Sequence, residues 1–180
     1  MKKFHATILV VEDNENDQFL IQRAFRKIGV ADPIHIVNDG AEAIAYMTGE
    51  GKYADRTKFE YPTFIMTDLK MPKQDGFDVL NHLKSHPRWS VIPTVVFSAS
   101  SDLDDIKKAY VLGASSYHVK PQDPRKLYEQ LAVLHAYWLT CEVPAVDGTG
   151  KQLPTDSRGK LGERFRKLDP ADIANKTTPQ

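Results

Sequence analysis

The stretch TFIMTDLKMPKQDG, residues 63–76, sets an acid, Asp68, directly after a run with little polar interruption, then passes through a proline and a polar turn to Gly76. A run without apolar–polar alternation reads as a strand covered on both faces. Asp68 therefore stands at the carboxyl end of a buried strand, Thr63 to Thr67. The chain then turns helical from Phe77 to Ser85, with Val79, Leu80 and Leu83 inward. The same grammar repeats on both sides. Upstream, Thr7-Ile8-Leu9-Val10-Val11 is a second continuous run, followed from Glu15 by a helix with Leu20, Ile21, Ala24, Phe25 and Ile28 on one side and Gly29 at its end. Pro33 to Val37 reads as a strand. Asp39, with Glu42 three residues later, resembles a capping box opening a helix that Gly49 closes. Downstream, Ile92 to Phe97 and Ser116 to Val119 are strands. Asp102 caps a helix whose inward side is read as Leu103, Ile106, Ala109 and Tyr110. Asp123-Pro124 opens a last helix with an inward stripe of Leu127, Leu131, Leu134 and Trp138.

Strict strand–helix alternation implies a parallel sheet with helices on both faces, because right-handed crossovers put them there. The expected fold class is α/β: a doubly wound, five-stranded, flavodoxin-like sheet of order 2-1-3-4-5, built by residues 1–144. Glu50 to Tyr61 is a polar loop longer than helix-to-strand connections usually are, a kind of loop that is often functional or mobile. Residues 145–180, rich in Gly, Pro, Thr and charge, read as a largely disordered tail with no output domain.

Composition narrows the function classes. Lys+Arg and Asp+Glu both number 24, so a net charge of zero offers no long-range attraction to nucleic acid or an anionic membrane. No apolar run approaches the ~20 residues of a membrane span. The apolar stretch near the N-terminus is too short for a signal peptide and acids follow at once. Cys141, the only cysteine, excludes a disulfide framework. A cytoplasmic protein without membrane contact is expected.

In an open α/β sheet, ligands sit outside the carboxyl ends of the strands. The residues there are Glu12 and Asp13 after the first strand, Asp68 after the third, Ser98 after the fourth and Lys120 after the fifth. A single loop acid usually just faces water, and a loop serine or lysine is ordinary. Five such groups at strand ends are not ordinary. Carboxylates crowded in one crevice repel one another unless a cation joins them. Mg²⁺ suits the set, since it takes one or two carboxylates and keeps oxygens for water and a phosphate. Asp68 could then attack phosphorus to give an acyl phosphate, with Lys120 neutralising the phosphoryl oxygens and Ser98 offering them a hydroxyl.

VVEDNEND, TDLKMPKQDG, VVFSAS and GASSYHVKP, in this order, resemble the segments that mark response-regulator receiver domains of the CheY-like type. The resemblance runs from residue 6 to about residue 140. It implies Glu12 and Asp13 as the acidic pair for magnesium, and Asp68 as both phosphoacceptor and metal ligand. It implies a backbone carbonyl from Lys70 to the metal, Tyr117 as the aromatic switch, and Lys70 and Ser100 as positions that tune phosphoryl lifetime. It also implies a cis bond between Lys120 and Pro121, which proline makes accessible. The implied activity is a phosphoacceptor switch rather than an enzyme, fed by a sensor histidine kinase. The long loop before the third strand, the KSHPRWSVIPTVVFSAS and AYVLGASSYHVKP segments, and AYWLTCEVP after the last helix resemble single-domain receivers paired with bacterial and cyanobacterial phytochrome kinases.

Two rival classes are weighed against this reading. A pseudo-receiver would carry no phosphate, yet the acceptor set is whole. An aspartate-nucleophile phosphatase wants a second acid two residues after the nucleophile, where this chain has Lys70. His82 and His86 stand one helical turn apart, but HLKSH has no glutamate of the HExxH type and no third ligand, which argues against zinc. Leu161, Phe165 and Leu168 fall at helical spacing in the basic tail, read as a solvated segment. Output is expected through the face of helix four, strand five and helix five. The apolar residues from Tyr137-Trp138-Leu139 to Val143-Pro144 are expected to serve a homodimer there.

Overall fold

The computed structural model describes residues 7–30, 33–143 and 159–160. Strands β1 (Ile8–Val11), β2 (Ile34–Val37), β3 (Phe64–Thr67), β4 (Thr94–Ser98) and β5 (Ser116–Val119) form one parallel sheet in the order β2-β1-β3-β4-β5. Helices α1 (Glu15–Ile28), α2 (Gly40–Thr48), α3 (Gly76–Ser85) and α4 (Leu103–Val111) make the crossovers, and α5 (Pro124–Thr140) follows β5. This is the flavodoxin-like arrangement, with β3 beside β1 and all strand ends on one edge. Register across the centre aligns Val11 with Thr67, so the residues that follow, Glu12 and Asp68, emerge side by side.

The continuous apolar strands are explained by two layers. Successive side chains of a strand face opposite ways. Ile8, Val10, Phe64, Met66, Val95 and Phe97 pack against α1 and α5, while Leu9, Val11 and Ile65 pack against α2 and α3. The α5 stripe behaves as its periodicity predicts, with Leu127, Leu131, Leu134 and Trp138 all buried. Trp138 meets Phe64 edge-on at 5.7 Å, so it belongs to the core and not to an exposed patch. Tyr137 beside it is 60% exposed.

Several expectations need correction. Strand β4 starts at Thr94 and not at Ile92, because Ile92 N–H is used by Trp89 O and Pro93 has no N–H to give. The Asp39 carboxylate does cap α2 by accepting from Glu42 N–H, but Glu42 does not reach back to Asp39. Its carboxylate accepts instead from Asn38 N–H, Lys52 and Tyr53. The reciprocal capping box is on α3, between Asp75 and Asp78. On α4 only Ala109 is buried; Leu103 is 80% and Tyr110 50% exposed. Strand β5 is the sheet's edge, so little of the sheet is left to cover that helix.

The long loop after α2 carries a 3₁₀ turn (Gly51–Ala54) and an aromatic cluster of its own. Tyr53 is buried against Tyr46 and Phe59, at 5.0 Å from each ring. His86 stacks on Trp89 at 3.6 Å and His82 lies 5.4 Å from the same ring, so both histidines pack on an indole. Pro144 and, apart from Gly159 and Lys160, the expected disordered tail with its Leu161, Phe165 and Leu168 lie outside the described residues. Within the tail, β7 (Gly159–Lys160) pairs antiparallel with β6 (Glu142–Val143).

Candidate functional site

Strand β1 delivers Glu12 and Asp13, β3 delivers Asp68, β4 ends on Ser98 and β5 delivers Lys120. Lys120 is the centre of the group. Its Nζ lies 2.7 Å from Asp68 Oδ2, 2.5 Å from Glu12 Oε2 and 2.9 Å from Asp17 Oδ2. Three carboxylates thus converge on one ammonium whose side chain is 8% exposed. Burial works against that charge, but Asp68 and Glu12 outweigh it and hold the Lys120 pKa above the ordinary lysine value. Burial acts in the opposite sense on Glu12. It pushes the carboxyl up to about 7, and Asp68 adds to the rise while Lys120 opposes it.

The Asp68 carboxylate is positioned from both sides. Oδ2 takes Lys120, and Oδ1 accepts the backbone N–H groups of Leu69 at 2.5 Å and Lys70 at 3.2 Å. The loop that provides these donors is tightly built. A Cβ at Gly76 would stand 2.1 Å from the Asp68 carbonyl oxygen, so only glycine lets α3 begin against the end of β3. Lys73 takes a left-handed φ of 64°, and its Nζ is tied to Asp39 Oδ2 at 2.8 Å. A non-glycine residue in that region is strained, which is common where a loop shapes a site.

Glu12, Asp13 and Asp68 can each offer one oxygen such that all lie within 4.8 Å of one another. That is close to the ~4.2 Å between opposite oxygens of a magnesium octahedron. The donors are all hard carboxylates and one Lys120 charge does not balance them, so the set fits a small divalent cation. Asp13 is exposed and Glu12 buried, which leaves the group open on the solvent side.

Ser98 is fully buried, and its Oγ accepts the Ser100 N–H at 3.4 Å. The Tyr117 hydroxyl donates to the Ser100 carbonyl at 2.9 Å, and its ring packs against the cluster beneath α3 and α4. Lys70 reaches away from Asp68 to Asp105. Every peptide bond among the described residues is trans, Lys120–Pro121 included. The expected cis bond is not present; trans is the lower form even before proline, by about 0.5–1 kcal/mol.

Two residues of the group were not singled out from sequence. Asp17 occupies the first turn of α1 and completes the Lys120 cage. Gln18 donates to the Glu12 carbonyl at 2.6 Å and to Asn38 Oδ1 at 3.0 Å, which pins the end of β1 to that of β2. Their signal was place: the first turn of a helix that follows a strand's carboxyl end borders the crevice.

The family model for the response regulator receiver domain matches residues 8–132. The response regulator Rcp1 of Synechocystis is 32% identical over 139 residues, 77% of this chain and 92% of Rcp1. A solved manganese-bound form of Rcp1 covers 78% of this chain and 99% of its own, with a TM-score of 0.71 at 31% identity. The phosphorylated cyanobacterial phytochrome response regulator RcpA covers the same shares at 37% identity, with a TM-score of 0.73. The probable methanogenesis regulatory protein FilR2 of Methanothrix harundinacea is 35% identical over 135 residues, 73% of this chain and 83% of FilR2.

Proposed function

The chain belongs to the response regulator receiver domain family, and from that premise we propose that Asp68 accepts a phosphoryl group from a sensor histidine kinase. The observation that carries this is the Lys120 Nζ at 2.7 Å from Asp68 Oδ2, inside a cluster of carboxylates that fits a divalent cation. Asp68 is the nucleophile, with one oxygen held by backbone N–H groups and the other free to be handed from Lys120 to phosphorus. Lys120 then follows the charge onto the phosphoryl oxygens, still anchored by Glu12 and Asp17. Magnesium, when bound by Glu12, Asp13, Asp68 and the Lys70 carbonyl, would neutralise the same oxygens. The metal-bound Rcp1 structure supports a divalent ion in such a site.

Ser98 reads the product. If its hydroxyl turns to the phosphoryl group it gives up the Ser100 N–H, and Ser100 is the residue whose carbonyl holds Tyr117. A shift there repacks Tyr117 and biases the face of α4, β5 and α5 between two arrangements. Leu103, Tyr110, Val111 and Val119 are exposed on α4 and β5, and they support a homodimer through that face. Likeness to RcpA supports a phytochrome-type kinase as donor. Among the described residues no helix is long and apolar enough to cross a membrane, and Cys141 is a free thiol, which together suit a cytoplasmic switch.

Incubation with a small phosphodonor and Mg²⁺ tests the reading. A stable acyl phosphate on Asp68 is expected. No label would indicate a binding module, and rapid multiple turnover a hydrolase. Transfer from a phytochrome-type kinase, compared with an unrelated one, tests the donor.

A further inference from the structure

Asp105 lies in the first turn of α4, and its Oδ2 receives donors from two different loops. Lys70 Nζ reaches it at 2.8 Å from the loop after β3, and Ser100 Oγ at 2.7 Å from the loop after β4. Both donors also hold the acceptor site through their backbones. Lys70 N–H donates to Asp68 Oδ1, and Ser100 N–H to Ser98 Oγ. Lys70 is 60% exposed and Asp105 only 19%, so the pair joins the two adjacent loops at the solvent edge of the crevice. A free lysine samples many rotamers; this one is confined by a charge-assisted bond. The Lys70 ammonium also stands 5.9 Å from the Phe77 ring, which further limits its sweep.

Resting on the phosphoacceptor reading, we propose that Asp105 is a positioning residue that sets how long the Asp68 phosphoryl group survives. Loss of that group is hydrolysis. A water oxygen bonds to phosphorus as the bond from phosphorus to the Asp68 oxygen breaks. The electron pair returns to the carboxylate, and dihydrogen phosphate leaves with both water protons. In-line displacement brings the water to phosphorus from the side opposite the Asp68 oxygen, and the Lys70 and Ser100 side chains stand at the rim of the two loops that carry Asp68 and Ser98. One oxygen of Asp105 draws those two side chains together. Without it they separate, the entry widens, and hydrolysis speeds up.

The test uses the full chain, labelled with a small phosphodonor and Mg²⁺, then freed of donor and followed as the label decays. Asp105→Ala is expected to lose its label about three- to tenfold faster than wild type, a change confined to one step. Asp105→Asn keeps an acceptor for Ser100 but no charge for Lys70, and falls between. Asp105→Glu restores most of the lifetime, which a merely structural role would not require. In a Lys70→Ala background, Asp105→Ala adds much less, since the effect runs through Lys70. Equal lifetimes for Asp105→Ala and wild type, or full additivity with Lys70→Ala, overturn the assignment. If the alanine variant does not fold, the Asn and Glu variants decide by the same decay. A wild type that takes no label overturns the phosphoacceptor reading and this assignment with it, a result distinct from equal lifetimes.

Discussion

Lys120 Nζ and Asp68 Oδ2 stand 2.7 Å apart across 52 residues of sequence, and both side chains are more than nine-tenths buried. The ammonium is thus in place before any phosphoryl group arrives. It also lowers the repulsion among carboxylates that would otherwise share the crevice unscreened. Asp68, with Glu12, holds the Lys120 ammonium in its charged form.

Asp68→Asn is expected to abolish labelling by kinase or small phosphodonor while the fold stays intact. The change is nearly isosteric and removes one charge from a crowded acidic group, so the metal-free melting temperature should hold or rise. Lys120 keeps Glu12 and Asp17 as partners. Phosphate label on the variant, with acyl-phosphate lability, would move the acceptor elsewhere.

Magnesium should stabilise the fold through linkage, by about 1.4 kcal/mol at ten times its Kd, and so raise the melting temperature. Glu12 adds a pH dependence, since burial pushes its carboxyl up to about 7. A carboxyl with a raised folded pKa keeps its proton in the fold, so metal-free stability falls as pH rises from about 4.5 towards 7. Metal binding needs the ionised form and strengthens over the same window. Melting curves with and without magnesium, at about pH 5.5 and pH 8, measure both trends. Asp13→Ala should remove the magnesium increment, and an increment that survives in that variant counts against the site.

Glu42 titrates with the opposite sign. Burial opposes its charge, but bonds from Lys52, the Asn38 backbone and Tyr53 outweigh it and hold the carboxyl down at about 2. Stability from this depressed group is complete above its unfolded value near 4.5 and fades as pH falls towards 2. Glu42→Gln should cost about 0.5–1.5 kcal/mol at neutral pH, the range of a hydrogen bond. The gap from wild type should close on acidification. A gap that stays constant under acid titration of the melting temperature would refute the assignment.

Gly76→Ala places a methyl group where the Asp68 carbonyl oxygen already sits, 2.1 Å away. The loop between β3 and α3 must shift, at an expected cost of about 1–3 kcal/mol, the usual scale of overpacking. Labelling should slow because the same loop supplies the N–H donors to Asp68. Denaturant melts with labelling rates measure both, and wild-type values in each would show the loop to be pliant.

Trp138→Ala and Tyr137→Ala should separate core from interface. Trp138 packs on Phe64, and its loss should cost about 3–5 kcal/mol. Tyr137 is exposed, so its replacement should cost under about 0.5 kcal/mol of folding stability and weaken self-association instead. Phosphorylation is expected to tighten the dimer by about 1–3 kcal/mol. Sedimentation with and without a phosphoryl mimic decides, and a wild type monomeric in both states ends the dimer.

The alternation of apolar runs and helical stripes was enough to read the layered sheet, and with it the five strand ends from which Glu12, Asp13, Asp68, Ser98 and Lys120 emerge. Those are properties of local pattern: burial on both faces leaves a continuous apolar run, and caps and glycines mark helix ends. What pattern could not supply was the partner of each side chain. The stripe on α4 looked like any inward face, yet Leu103 and Tyr110 are exposed because the sheet ends at β5. Trp138 fell both in the inward stripe of its helix and in the apolar segment expected to serve a dimer, and only its packing on Phe64 assigns it to the core. Asp17 carried no mark of its own in the sequence, and only the fold brings Lys120 across 103 residues to meet it. Lys70 and Ser100 were expected to tune phosphoryl lifetime, but the carboxylate of Asp105 that ties them together lies on another element. Periodicity reports which way a side chain points relative to its own element; only tertiary packing determines what stands in that direction.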